Sequence, residues 1–111
     1  MDDRAQGRER LDEIAPDLLA HPDVAIGRMF SSDGLSVRGK IFAFAANDGC
    51  LVAKLPAERI DELGLDNMVM RGRRMREWAK VPLADGVERW RAIARDAYAF
   101  VDSITPEHPL P

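Results

Sequence analysis

Residues 41–55, IFAFAANDGCLVAKL, decide the fold. Two short apolar runs flank Asn47-Asp48-Gly49, the pattern of strand, turn and strand. Asp-Gly suits the two-residue hairpin turn, in which both central residues take positive φ. With Asp48 and Gly49 in those places, Asn47 faces Cys50, Ala46 faces Leu51, Phe44 faces Ala53 and Phe42 faces Leu55. Those residues share one side and form a predicted core face, while Ala43, Ala45, Val52 and Lys54 take the other.

Upstream of this hairpin, Val24 to Phe30 and Leu35 to Arg38 read as strands. Ser31-Ser32-Asp33-Gly34 and Gly39-Lys40 have the composition of turns. Before them, Leu11, Ile14, Ala15, Leu18 and Leu19 repeat at helical spacing, which predicts a helix from Arg8. Pro16 predicts a break or kink near Ala15, or the opening of a second short turn. His21-Pro22-Asp23 ends that helix, with His21 expected at its negative end.

Downstream, Pro56 suits a first helical turn, Ala57 to Leu63 follows, and Gly64 fits the left-handed position after a helix. Met68 to Met70 reads as a short strand or an extended link, Arg71 to Arg74 as a flexible stretch, and Arg76 to Val81 as a strand closed by Pro82. Asp85 is the expected N-cap of a long helix from Val87 to Ser103. Its apolar stripe is Val87, Trp90, Ala94, Ala97, Tyr98 and Val101. A helix this apolar needs a partner surface, and the strands supply it.

The predicted fold is therefore α+β: a two-layer sandwich with an antiparallel sheet of about five strands, on which the N-terminal and long C-terminal helices pack. The single domain spans 8–104, between a flexible N-terminus at 1–7 and a proline-rich tail at 105–111. The chain of 111 residues suits one domain, and its 46% hydrophobic and 32% charged residues exclude a disordered or low-complexity polymer. One cysteine, Cys50, excludes an internal disulfide framework. A charged start (Asp2, Asp3, Arg4) and the lack of any long apolar run predict a cytoplasmic protein with no membrane association. The formal net charge of -3 counts against bulk duplex binding.

No catalytic set stands out. Cys50 has no histidine near it in sequence and reads as a small buried hydrophobe. His21 and His108 are too far apart to form a metal pattern with it, and no cofactor is expected. The acidic residues fall where solvated helix faces expect them. Arg71-Gly72-Arg73-Arg74 lacks the signature of a phosphate loop.

One segment departs from this background. Arg71, Arg73, Arg74, Arg76 and Lys80 stand together against the lone acid Glu77, with Trp78 among them. On a strand, Arg76, Trp78 and Lys80 would share one side. Cations beside a tryptophan suit stacking and phosphate contact. The plainer reading has Trp78 packed beneath arginine stems whose heads pair with nearby acids.

VAIGRMF, GLSVRGKIFAFAANDGCLVAKLPAERIDEL and GRRMREWAKVP, followed by an amphipathic helix with AYAFV, together resemble the TfoX N-terminal domain family (TfoX/Sxy-like proteins). The resemblance covers roughly residues 10 to 101. It implies a two-layer α+β fold. The founding members regulate natural competence, thought to act with a transcription activator, and carry a second helical domain. This chain resembles the first domain alone. The family offers no established catalytic residues to carry over. The related MmcQ/YjbR-like group shares the GK-F hairpin and the KL-P strand end and is suspected of DNA binding.

The expected function is a non-enzymatic binding module, accessory or regulatory, acting through contacts with a protein partner. Arg71, Arg73, Arg74, Arg76, Trp78 and Lys80 are its expected contact surface. The alternative is a nucleic-acid-binding domain using the same strip, and a second is an enzyme with a pocket under the long helix. An open sheet edge also allows a homodimer.

Overall fold

The computed structural model describes residues 2–29 and 32–105. Helix α1 (Asp3–Leu19) leads into β1 (Val24–Met29), β2 (Ser32–Val37), β3 (Lys40–Ala45) and β4 (Leu51–Lys54). Then come α2 (Ala57–Leu63), β5 (Asp66–Met70), β6 (Arg73–Val81), a 3-10 turn (Leu83–Asp85) and α3 (Val87–Ile104). Among the described residues six strands form one sheet in the order β1-β2-β3-β4-β6-β5, every neighbouring pair antiparallel. This is the expected α+β arrangement. The strand beyond the expected five is β5, which pairs with β6 along the edge.

The hairpin at 41–55 forms, but one residue out of the expected register. Gly49 N–H donates to the Ala46 carbonyl at 3.0 Å, and Ala46 N–H to the Cys50 carbonyl at 2.9 Å. The loop therefore holds three residues, Asn47-Asp48-Gly49, with Gly49 at φ 88 in the left-handed position that closes such loops. Asp48 Oδ1 accepts the Cys50 N–H at 3.1 Å, which favours this longer loop. The pairs become Ala43 with Ala53, Phe44 with Val52 and Ala45 with Leu51. Among the described residues, two-residue turns occur at Arg38-Gly39 (φ 48 and 85) and Arg71-Gly72 (φ 54 and 77).

A second irregularity sorts the aromatic residues. Leu35 pairs with Ala43 and Ser36 with Ile41, so Phe42 is the extra residue of a bulge. Phe42 is fully buried in the main core and meets Tyr98 of α3 edge-on, at 5.7 Å between ring centres. Phe44 and Val52 are also buried, yet lie outside that core. The expected union of Phe42 and Phe44 on one face is thus undone.

Helices α1, α2 and α3 all contribute to the main core, through residues such as Ile14, Ile60 and Trp90. Ala43, Ala53 and Ala79 stand side by side across β3, β4 and β6, each with no exposed surface. Small side chains there let α3 lie close through its own Ala94 and Ala97. Trp90 is fully buried, and its indole N–H donates to the Pro82 carbonyl at 3.0 Å. Arg10 lies over the same ring, 5.2 Å from its centre.

Several local expectations are corrected. Helix α1 starts at Asp3, not Arg8, because Asp2 caps it through the Ala5 N–H at 2.8 Å and Gly7 is buried against the hairpin loop. Pro16 sits inside that helix without breaking it: Ile14 and Leu18 anchor both sides, and Ala20 N–H still reaches the Pro16 carbonyl. His21 stacks on Tyr98, with ring centres 4.3 Å apart. Ser32 to Gly34 belong to β2, paired with Met29, Arg28 and Gly27, because cross-strand pairing overrides local turn preference. Asp85 is not the N-cap of α3; Gly86 takes that place and Asp85 pairs with Arg89 at 3.5 Å. Phe30, Ser31 and the tail beyond Thr105 fall outside the described residues.

Candidate contact surface

The basic segment folds as the far half of the β5–β6 hairpin. Arg71 and Gly72 make its turn, and Arg73, Arg74 and Arg76 lie on β6. The strand begins three residues earlier than expected because β5 gives Arg73 to Met75 a partner. Pairing runs Met68 with Met75, then Asn67 with Ala79, so β6 carries extra residues at the swelling between them. Asn67 fills it: its Oδ1 accepts from Arg74 Nε at 2.6 Å and its Nδ2 donates to the Arg76 carbonyl.

This swelling separates the expected site residues. Trp78 pairs with Lys54 and Lys80 with Val52, so those two share a face of the sheet. Arg76 instead lines a cleft with Arg74, Asn67 and, from α2, Ala57 and Asp61. The strip is therefore two groups, a lysine–aromatic patch and an arginine hairpin.

In the patch, Trp78 is half-buried and its ring meets Phe44 at 5.9 Å between centres. Lys54 Nζ lies 5.1 Å over the Trp78 ring and 3.5 Å from Glu77. Lys80 reaches Asp48 at 2.7 Å. The hydrogen bond to Asp48 raises the Lys80 pKa. Partial burial pushes the Asp48 carboxyl up, but Lys80 and the Cys50 N–H outweigh it and hold it below its ordinary value. Both lysines of the patch are thus engaged, and a lysine, not an arginine stem, covers the tryptophan.

The arginines differ. Arg71, Arg73, Arg74 and Arg76 are all exposed, and none pairs with a carboxylate of the described residues. Sequence reasoning found this cluster by composition; it could not see that the nearby acids Glu77, Asp66 and Asp48 leave it alone.

The neighbourhood of Cys50 is polar, with Lys80, Asp66, Asp85 and Arg89 around a cleft of about 320 Å³. Burial, and then Asp48, push the thiol pKa up, opposite to the shift that activates a nucleophile. No group of three or more metal-ligating side chains occurs among the described residues. None of the described helices is long and apolar enough to cross a membrane.

The sequence matches no protein-family model, and no curated protein and no solved structure matches the chain.

Proposed function

We propose that this chain is a non-enzymatic binding module, accessory or regulatory in role, whose β5–β6 hairpin holds an acidic segment of a partner protein. The observation that carries this reading is the set of four exposed arginines without acidic partners among the described residues, on a chain whose net charge is -3. A guanidinium presents a rigid fork of donors that matches carboxylates, so four of them on one hairpin favour an acidic surface. The resemblance to TfoX N-terminal domains supports the regulatory role. Open edges at β1 and β5 support self-association, which light scattering tests.

Nucleic acid is the second reading, favoured by Trp78 and Phe44 standing beside Lys54 and Lys80. It is the weaker one, because Lys54 already occupies one face of the Trp78 ring.

Wild type and R71A/R73A/R74A/R76A, immobilised in parallel, are challenged with cytosolic extract while a labelled single-stranded DNA is titrated at two salt concentrations. Proteins rich in acidic segments should be retained by the wild type and lost from the variant. Loss of a contact centred on these arginines should cost roughly 2 kcal/mol or more in affinity. Steeply salt-dependent DNA binding would move the assignment to the second reading, and equal retention by both proteins would end the first.

A further inference from the structure

Where α3 ends, a cleft of about 340 Å³ opens between β3, β4 and the last helical turn. Its apolar lining comes from Ile41, Trp78, Val101 and Ile104, and its charged lining from Lys40 and Lys54. The volume lies at the small end of the range for ligand sites.

Three features distinguish this cleft from an ordinary crevice. Ile104 is 60% exposed, an isoleucine offered to solvent on a turn where a polar residue would be at home. The wall it stands on is fixed: Arg38 donates to the Asp102 carboxylate at 2.7 Å and to the carbonyls of Asp102 and Thr105, each at 3.1 Å. Arg38 does this from φ 48, where asparagine or glycine would be the easier choice. Finally, Lys40 and Lys54 bring two ammonium groups to the cleft. Lys40 pairs with no carboxylate of the described residues, and the partner of Lys54, Glu77, is half-exposed and can turn back to water.

We propose that this cleft binds a small amphipathic anion, an aryl-alkyl carboxylate in chemical class. The hydrocarbon body lies against Ile41, Ile104 and the free surface of Trp78. The carboxylate lies between Lys40 and Lys54, taking the place of Glu77 on the latter. A cationic or neutral body of the same shape gains the apolar contact and loses the charge match. None of the hairpin arginines takes part, so this site stands apart from the proposed protein contact.

The test uses the full-length ¹⁵N-labelled chain and three probes with one hydrocarbon body: 4-phenylbutyrate, 4-phenylbutan-1-ol and 4-phenylbutylamine. The carboxylate should give saturable shifts at the Ile41, Lys54 and Thr105 amides and at the Trp78 indole N–H. It should bind about tenfold more tightly than the alcohol, the return expected of a charge-assisted hydrogen bond. K40Q/K54Q should remove that advantage. I104E, at an exposed position, should abolish binding and leave the rest of the spectrum in place. R71A/R73A/R74A/R76A should bind 4-phenylbutyrate as the wild type does. Shifts that never saturate, that centre on another surface, or that the amine reproduces equally would overturn the assignment. So would loss of binding in the arginine variant, which would place the anion on the hairpin.

Discussion

Asn67 bridges the swelling of β6 by donating its side-chain amide to the carbonyl of Arg76, 3.1 Å away. Its other end accepts from Arg74. One side chain thus sets the backbone of the second arginine and the guanidinium of the first. N67A should lower stability by about 0.5–1.5 kcal/mol, the usual worth of such bonds. The larger effect should be local, with faster hydrogen exchange along β5 and β6 and unchanged protection in β3 and β4. Uniform acceleration across the whole sheet would show that Asn67 has no special hold on the hairpin.

The alanine lane under α3 leaves no room for growth. Ala53 sits between Ala43 and Ala79 with no exposed surface. A53L should cost about 1–3 kcal/mol, through displacement of α3 from the sheet. Ala99, on the exposed side of the same helix, is the control. A99L should leave the denaturation midpoint nearly where it was, and equal effects from both substitutions would contradict close packing along the lane.

Gly7 opposes two rules. Alanine is the better helix former by about 1 kcal/mol, so G7A should stabilise an isolated helix. In the folded chain a methyl group at Gly7 would stand 2.5 Å from the Gly49 carbonyl oxygen and 2.8 Å from its Cα. Backbone atoms cannot rotate aside as a side chain can. G7A should therefore destabilise the protein in urea, while E9A, exposed on the same helix, should be near neutral. A more stable G7A would mean that α1 does not rest on the hairpin loop.

The Asp48–Lys80 pair has a defined pH window. The Asp48 pKa is lowered from 3.8, so its contribution is present above that value and fades as pH falls through the lower folded one. The Lys80 pKa is raised from 10.5, so its contribution is present below that value and is lost as pH rises through the higher folded one. Between these limits D48N should be less stable by about 0.2–1 kcal/mol, given the partial exposure of both groups. The gap between D48N and wild type should close toward strong acid in thermal melts at stepped pH. A gap that persists there would show that the loss does not come from the ion pair with Lys80.

Helices were the more legible part of the sequence because their evidence is spread over many residues. The stripe from Val87 to Val101 needs no help from neighbours, and α3 falls within a residue of its expected end. Registers were less legible because a single loop residue decides them. Asp-Gly at 48–49 carries the signature of a two-residue turn, yet the Asp48 side chain stabilises a three-residue loop, and every pair in the hairpin shifts with it. The bulge at Phe42 and the swelling opposite Asn67 leave no local mark, since both depend on what the neighbouring strand requires. For the candidate surface, composition located the arginines and Trp78. It could not divide them into two groups, because the swelling between Met75 and Ala79 breaks the alternation on which the single-strip reading rested. The cleft beside Ile104 was beyond reach, as it joins residues from distant parts of the chain.

Strand order has a bearing on how the molecule assembles. β4 and β5 run in the same direction with β6 between them, so the α2 connection leaves a vacancy one strand wide until β6 arrives. The nearby turn at Arg71-Gly72 lets β6 fold back on β5 first and join β4 as half of a ready-made ribbon. A nascent chain that has not yet delivered Val81 carries β4 as a bare edge, and until α3 follows, the core face of the sheet is uncovered as well. Ribosome-stalled fragments ending before Arg73 should therefore be sticky and protease-sensitive, and only those extending past Ile104, with α3 in place, should lose both properties.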